Sequence, residues 1–154
     1  MPQSYAICAM CGNPRPVLEK VCRFCNHDEI VTELSKKLPV FTINIELHMP
    51  TVDEALERFY HQLEKIQGTG IKMVRVIHGH GSSGVGGRIR VAFREAMMHG
   101  RWSHIIRGVY LGEELSLNAQ GLAEFTQNHP SLRKELTHDM MGNPGITLLV
   151  LQRS

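Results

Sequence analysis

The period of the apolar positions changes several times along the chain, and each change marks an element. In residues 28–38, "DEIVTELSKKL", the apolar positions Ile30, Val31, Leu34 and Leu38 fall at helical spacing and stop before Pro39, which predicts a short connecting helix. In "VFTINIELH", residues 40–48, Phe41, Ile43, Ile45 and Leu47 alternate with polar positions, so a strand is expected that ends at His48. Thr51-Val52-Asp53-Glu54 then has the form of a capping box. Behind it Val52, Ala55, Leu56, Phe59, Leu63 and Ile66 lie along one helical stripe, which Gly68 closes. Ile71 to Ile77 reads as a second strand, Ile89, Ala92, Phe93, Ala96 and Met97 as the face of a second helix, and "SHIIRGVYL" as a third strand.

Strand, helix and strand joined this closely imply a βαβ unit with two parallel strands, an α/β fold. Both strands then finish on the same carboxyl edge of the sheet, where folds of this class usually keep their sites. The first is expected to end at His48 and the second at His78, so the topology is expected to bring two sequence-distant histidines together. Glu46 sits two residues before His48, on the same strand face, and can join them.

The loop after the second strand, "HGHGSSGVGGRIR", contains a literal G-x-G-x-x-G from Gly79 to Gly84. A dinucleotide site also needs an acidic residue about twenty positions further on, and that stretch, around His104, has none. No Lys-Ser/Thr pair follows the glycines, so a nucleotide-hydrolase phosphate loop is excluded as well. What remains is a glycine-rich loop at a helix start, where backbone N–H groups and the helix dipole favour an anion. Gly79, His80, Gly81 and Gly84 would supply the loop, and Arg88 and Arg90 in the first helical turn would add contacts to phosphate oxygens. Imidazoles beside it can exchange protons near neutral pH, a combination that suits a phosphodiester better than a free nucleotide.

Charge strengthens that picture. Residues 68–112 carry seven bases (Lys72, Arg75, Arg88, Arg90, Arg94, Arg101 and Arg107) against one acid, Glu95, although the net charge of the chain is only +2. A basic segment centred on the loop points to an anionic partner, while the plainer reading is a solvated helix face. A hydrophobic content of 42% supports a packed core, and no apolar run approaches the ~18 residues of a membrane span. The first residues lack the pattern of a secretory signal, so a cytoplasmic protein with reduced thiols is expected.

All four cysteines lie within the first 25 residues, as Cys8-x2-Cys11 and Cys22-x2-Cys25. Two such pairs place four thiolates where one tetrahedral Zn²⁺ can take them all. Disulfides fit a cytosolic chain poorly, and a redox motif needs only one pair. Residues 1–27 are therefore expected to be a zinc ribbon or knuckle, a structural docking module whose metal supplies most of its folding energy. His27 is a bystander in this reading, and the spacing does not say whether the module meets nucleic acid, a ribosome or another protein.

In the order "IELHMPTVDEAL", "IHGHG" and "RIRVAFR", followed by a terminal "NPGITLLVL", the chain resembles the Smr (small MutS-related) domain. That family has a strand ending Leu-Asp-Leu-His-Gly, a Thr-x-x-Glu-Ala helix, a His-Gly-x-Gly loop, a Leu-Arg pair and a closing Gly-x-Thr strand. The resemblance covers roughly residues 40–152. It implies a two-layer β-α-β-α-β-β fold, similar to the C-terminal domain of translation initiation factor three, and nucleic-acid binding, with DNA nicking or RNA cleavage in several members. Its acid and first histidine fall on Glu46 and His48, its loop on His78, Gly79, His80 and Gly81, and its Leu-Arg pair on Ile89 and Arg90. Three features depart from the pattern: Glu46 replaces the usual Asp, Met49 replaces a Gly and is expected to narrow the site, and residues 113–145 form a helical elaboration before the last strand.

Two functions follow as expectations. The first is an endonuclease of DNA or RNA in which His48 and His78 move protons and Glu46 orients or activates. The second is a non-catalytic module that binds nucleic acid or a ribosome through the same surface. A catalytic divalent metal at Glu46, His48 and His78 is compatible with these residue types but not required by them. A pure protein scaffold would show no salt-sensitive nucleic-acid binding.

Overall fold

The computed structural model describes residues 5–17, 19–28, 40–80 and 85–152. The connecting helix expected over 28–38 falls almost wholly outside the described residues, as do Gly81 and Gly84. Strands β1 (Tyr5–Ile7) and β2 (Pro14–Pro16) form an antiparallel hairpin. Then come β3 (Phe41–Asn44), α1 (Val52–Lys65), β4 (Met73–Ile77), α2 (Val85–Met98), β5 (Ile106–Leu111), α3 (Gln120–Asn128) and β6 (Ile146–Leu151). The second sheet has the order β3-β4-β6-β5, with β3 and β4 parallel and β6 antiparallel to both of its neighbours. The fold is mixed α/β, and from β3 onwards it follows the expected β-α-β-α-β-β order with α3 inserted before the last strand.

α1 begins where the sequence says it should. The Thr51 hydroxyl accepts the Glu54 N–H at 3.1 Å, Ile66 caps the far end, and Gly68 follows with φ +76°. Its apolar stripe of Ala55, Phe59 and Leu63 is buried with Ile89, Phe93 and Met97 of α2 against one face of the sheet. Phe59 meets Phe93 and Trp102 edge-on, each with centroids 5.0 Å away, and burying its ring contributes about 1.5–3 kcal/mol.

The segment between β5 and β6 covers the opposite face. Leu115, Phe125 and Met140 are buried there against Met73, Tyr110, Ile146, Leu148 and Val150. The period of two in β6 divides its side chains between the faces, Leu149 and Leu151 to the α1/α2 side, Ile146, Leu148 and Val150 to the α3 side. This explains why "ITLLVL" is an unbroken apolar run and not an alternating one. The elaboration therefore adds a further layer to the sheet. Only its first part is an α-helix: "SLRKE" is a 3-10 turn led by Pro130, and Leu136 is extended.

Candidate nucleic-acid interface and metal centre

The four cysteine sulfurs lie within 4.8 Å of one another, with Cys8 to Cys25 at 3.7 Å and Cys11 to Cys22 at 3.9 Å. Those separations are close to the edge of about 3.8 Å expected for a tetrahedron of thiolates around a metal with bonds of ~2.3 Å. They are far beyond a disulfide bond of about 2.05 Å. The two knuckles repeat one turn. Gly12 N–H donates to Cys8 O at 2.9 Å, and Asn26 N–H to Cys22 O at 2.8 Å. Gly12 (φ +75°) and Asn26 (φ +64°) take the left-handed position just after the second cysteine of each pair. The donor set thus fits a structural metal ion, with all four cysteines as ligands.

β3 stops at Asn44, four residues before the expected end. Ile45 N–H still bonds Ile77 O at 2.9 Å, but the Asn44 side-chain oxygen then accepts Glu46 N–H at 3.0 Å and turns the chain. His48 (φ +67°) and Met49 (φ +49°) follow in the left-handed region, and Arg58 of α1 ties the turn down through Leu47 O at 2.8 Å. His48 is exposed on this turn. Met49 is 73% exposed, so it does not narrow the site as its bulk suggested. Glu46 does reach the second strand's end: its carboxylate rests on the Cα of Gly79, where any Cβ would overlap Oε2.

A cavity of about 300 Å³ opens there, bordered by Glu46, Arg75, Gly79, His80, Asp139 and Asn143. Arg75 pairs with Asp139 and donates to Thr42 Oγ1 at 3.0 Å. The Thr137 hydroxyl, with Arg75 behind it, holds the Asp139 carboxyl below the usual carboxylate range. Asp139 and Asn143 come from the elaboration, and nothing in their local sequence signalled that they would line this cavity.

His78 departs from its expected place. Its side chain is buried, with Nδ1 2.6 Å from Gly79 O and Nε2 2.8 Å from Thr147 Oγ1. Burial drives its pKa down to about 4; the Gly79 carbonyl works against this and the charges of Arg94 and Arg90 add to it. A neutral ring with both nitrogens engaged is not a free proton carrier, so of the two strand-end histidines expected to work together, His48 is exposed and His78 is buried and committed to its own hydrogen bonds. Arg94 donates Nε–H to Thr147 Oγ1 at 3.2 Å and grips Glu113 with two bonds of 2.7 Å. Burial works to raise the Glu113 carboxyl, but Arg94 outweighs it and holds the group below its usual value. In sequence, Thr147 stood in the closing Gly-x-Thr motif and Arg94 in "RIRVAFR", yet neither spacing nor residue type tied them to His78.

At the start of α2, Ile89 is buried, Arg88 is exposed and Arg90 half-buried, and neither arginine makes a hydrogen bond among the described residues. Gly79 N–H and His78 N–H both donate to Gly145 O, at 3.0 and 3.1 Å, which fixes the loop's origin against β6.

The Smr domain family model matches residues 45–109, the stretch that holds Glu46, His48, the His78–His80 segment and Arg90. The chain is also similar to the Smr domain of Thermus thermophilus MutS2, with 20% identity over 75% of this chain and 100% of that one, at a TM-score of 0.43. No curated protein matches the sequence. No helix among the described residues is long and apolar enough to cross a membrane.

Proposed function

We propose that this Smr domain binds nucleic acid through the loop that begins at Gly79 and the first turn of α2, and that it acts there as an endonuclease. The observation that carries the reading is a pair of arginines, Arg88 and Arg90, that make no hydrogen bond among the described residues and stand in the first turns of α2 beside the family's His-Gly-x-Gly loop. Gly79, His80, Gly81 and Gly84 would cradle a backbone phosphate that the two guanidiniums grip. Hydrolysis adds water across a P–O bond, so a base must take a proton from the water and an acid must give one to the leaving oxygen. His48, which is exposed, would make one of those transfers, and Glu46, which lies over Gly79, would orient or activate the nucleophile. His78 is assigned a positioning role. Cys8, Cys11, Cys22 and Cys25 would hold Zn²⁺ in a module over residues 1–27, which docks the protein on nucleic acid, a ribosome or another protein in the cytoplasm.

The burial of His78 favours one other reading, that the same surface binds without turnover, because it removes one of two expected proton carriers. A cleavage assay on supercoiled plasmid and structured RNA, with gel shifts in parallel, separates the two. Under the endonuclease reading His48→Ala abolishes cleavage and retains binding, while Arg88→Ala with Arg90→Ala weakens binding and flattens its dependence on salt. Salt-sensitive binding with no cleavage by the parent selects the binding module. Cleavage unchanged by His48→Ala removes His48 from the site.

A further inference from the structure

For the buried, neutral ring the hydrogen bonds around His78 have only one consistent assignment. A carbonyl oxygen only accepts, so the contact of 2.6 Å to Gly79 O requires a proton on Nδ1. In a neutral ring Nε2 then carries the lone pair and must accept, so the Thr147 hydroxyl donates to it across 2.8 Å. Having given its only proton, Thr147 Oγ1 is left to accept, and Arg94 Nε–H supplies that bond at 3.2 Å. Arg94 is itself immobilised by the two bonds to Glu113 and a third to Ile146 O at 3.1 Å. Three side chains, Arg94 of α2, Thr147 of β6 and His78 at the end of β4, thus form one directed chain of donors, and Glu113 in the turn after β5 accepts from Arg94 and anchors it.

The chain ends on a peptide group that matters. Nδ1–H draws the Gly79 carbonyl towards the buried ring. In a trans peptide the following N–H points the opposite way, so the His80 amide is aimed away from the buried His78 ring. That amide makes no backbone bond among the described residues, and His80 borders the cavity. Gly79 has φ +77° and its Cα lies under the Glu46 carboxylate, so no other residue could hold this peptide in place at the same position.

We infer that Thr147, Arg94 and Glu113 are positioning residues that lock His78 in the Nδ1–H tautomer and so aim the His80 backbone N–H outward, as a preformed donor to a phosphate oxygen. Its value for nucleic acid rests on the reading proposed above, but the donor relay and its anion response are properties of the folded chain alone. An outward amide needs no reorganisation when the anion arrives, which is where such donors gain their strength.

The test is nitrogen-15 NMR of the full, metal-loaded chain titrated with inorganic phosphate. Expected for the parent are imidazole nitrogen shifts of a pure Nδ1–H tautomer at His78 and a saturable displacement of the His80 amide resonance. Thr147→Val, which removes the hydroxyl and keeps the shape, is expected to mix the tautomers and weaken the phosphate response of His80 several-fold. Thr147→Ser is expected to restore both, and Glu113→Gln to give an intermediate result. An Nε2–H tautomer in the parent, a His80 amide indifferent to phosphate, or a Thr147→Val protein with parental spectra would each overturn the inference. If the chain neither binds nor cuts nucleic acid while the relay and the phosphate response behave as stated, the functional reading falls and the relay stands.

Discussion

Asn13 pairs with Thr42 as a neighbouring strand would. Its side-chain nitrogen donates to Thr42 O at 2.9 Å and its side-chain oxygen accepts Thr42 N–H at 2.8 Å, so one amide closes the outer edge of β3. Asn13 is the second residue after Cys11, and its own carbonyl accepts Cys8 N–H at 2.9 Å, so the cysteine turn and the sheet edge share a residue. Phe24 packs edge-on against Phe41 at 4.8 Å beside it. Asn13→Ala leaves a largely buried strand edge without its partner, and should cost about 1–3 kcal/mol. Denaturant unfolding would measure the loss, and faster hydrogen exchange at the Thr42 amide would localise it. An unchanged Thr42 exchange rate would show that the pairing does not persist in solution.

Removing the metal should reach the same edge. Without an ion, four thiols have no reason to stay within 4.8 Å of one another, and the turn that presents Asn13 loosens. A strong chelator is therefore expected to raise Thr42 exchange towards the Asn13→Ala level while the amides of β6, central in the sheet, stay protected. Metal analysis should find one ion per chain before treatment. A stoichiometry of zero in protein purified under reducing conditions would remove the metal from the account.

Met49 holds φ +49° with its side chain in solvent, a backbone state that costs an L-residue roughly 1–2 kcal/mol and a glycine almost nothing. Part of any gain from Met49→Gly is lost to the freer unfolded chain, leaving an expected stabilisation of about 0.5–1 kcal/mol. Met49→Ala removes the same side chain and keeps the Cβ, so it should gain nothing. Equal unfolding midpoints for the Gly and Ala variants would show that the turn is not strained.

Periodicity found the elements because the sheet and its first helical layer obey simple patterns: Phe59 and Leu63 fall on the stripe that packs, and Thr51 stands where a cap must be. It overran the strand at Asn44, since an alternating Ile45 and Leu47 look the same in a strand as in a turn held by the Asn44 side chain. The cysteines were readable because metal geometry constrains spacing directly. The interior of the site was not. Which way His78 points depends on Thr147 of β6 and Arg94 of α2, 69 residues from His78 in one case, and the pairing of those elements is a tertiary fact. The same holds for Asp139 and Asn143, which arrive at the cavity only because the elaboration folds across the second face of the sheet.

The neutral state of His78 has a consequence for stability against pH. Its folded pKa, about 4, lies below the ordinary value of 6.5 that it regains on unfolding, so between those values the unfolded chain binds more protons. Stability therefore rises with pH through that window, is fully present above 6.5 and is lost as pH falls towards 4. From pH 7 to pH 5 the loss from this one group is about 2 kcal/mol. His129, buried between Tyr110 and Phe125 with Arg107 nearby, is shifted the same way and adds to the slope. The carboxyls of Glu113 and Asp139 are held low, and their contributions fade only at more acid pH. Unfolding free energies at pH 5 and pH 7 should thus differ more in the parent than in His78→Gln, which keeps the His129 part and serves as the reference. A His78→Gln protein with the parent's full pH dependence would mean that His78 takes up its proton in the folded state, and that the donor chain from Arg94 through Thr147 does not hold its ring neutral.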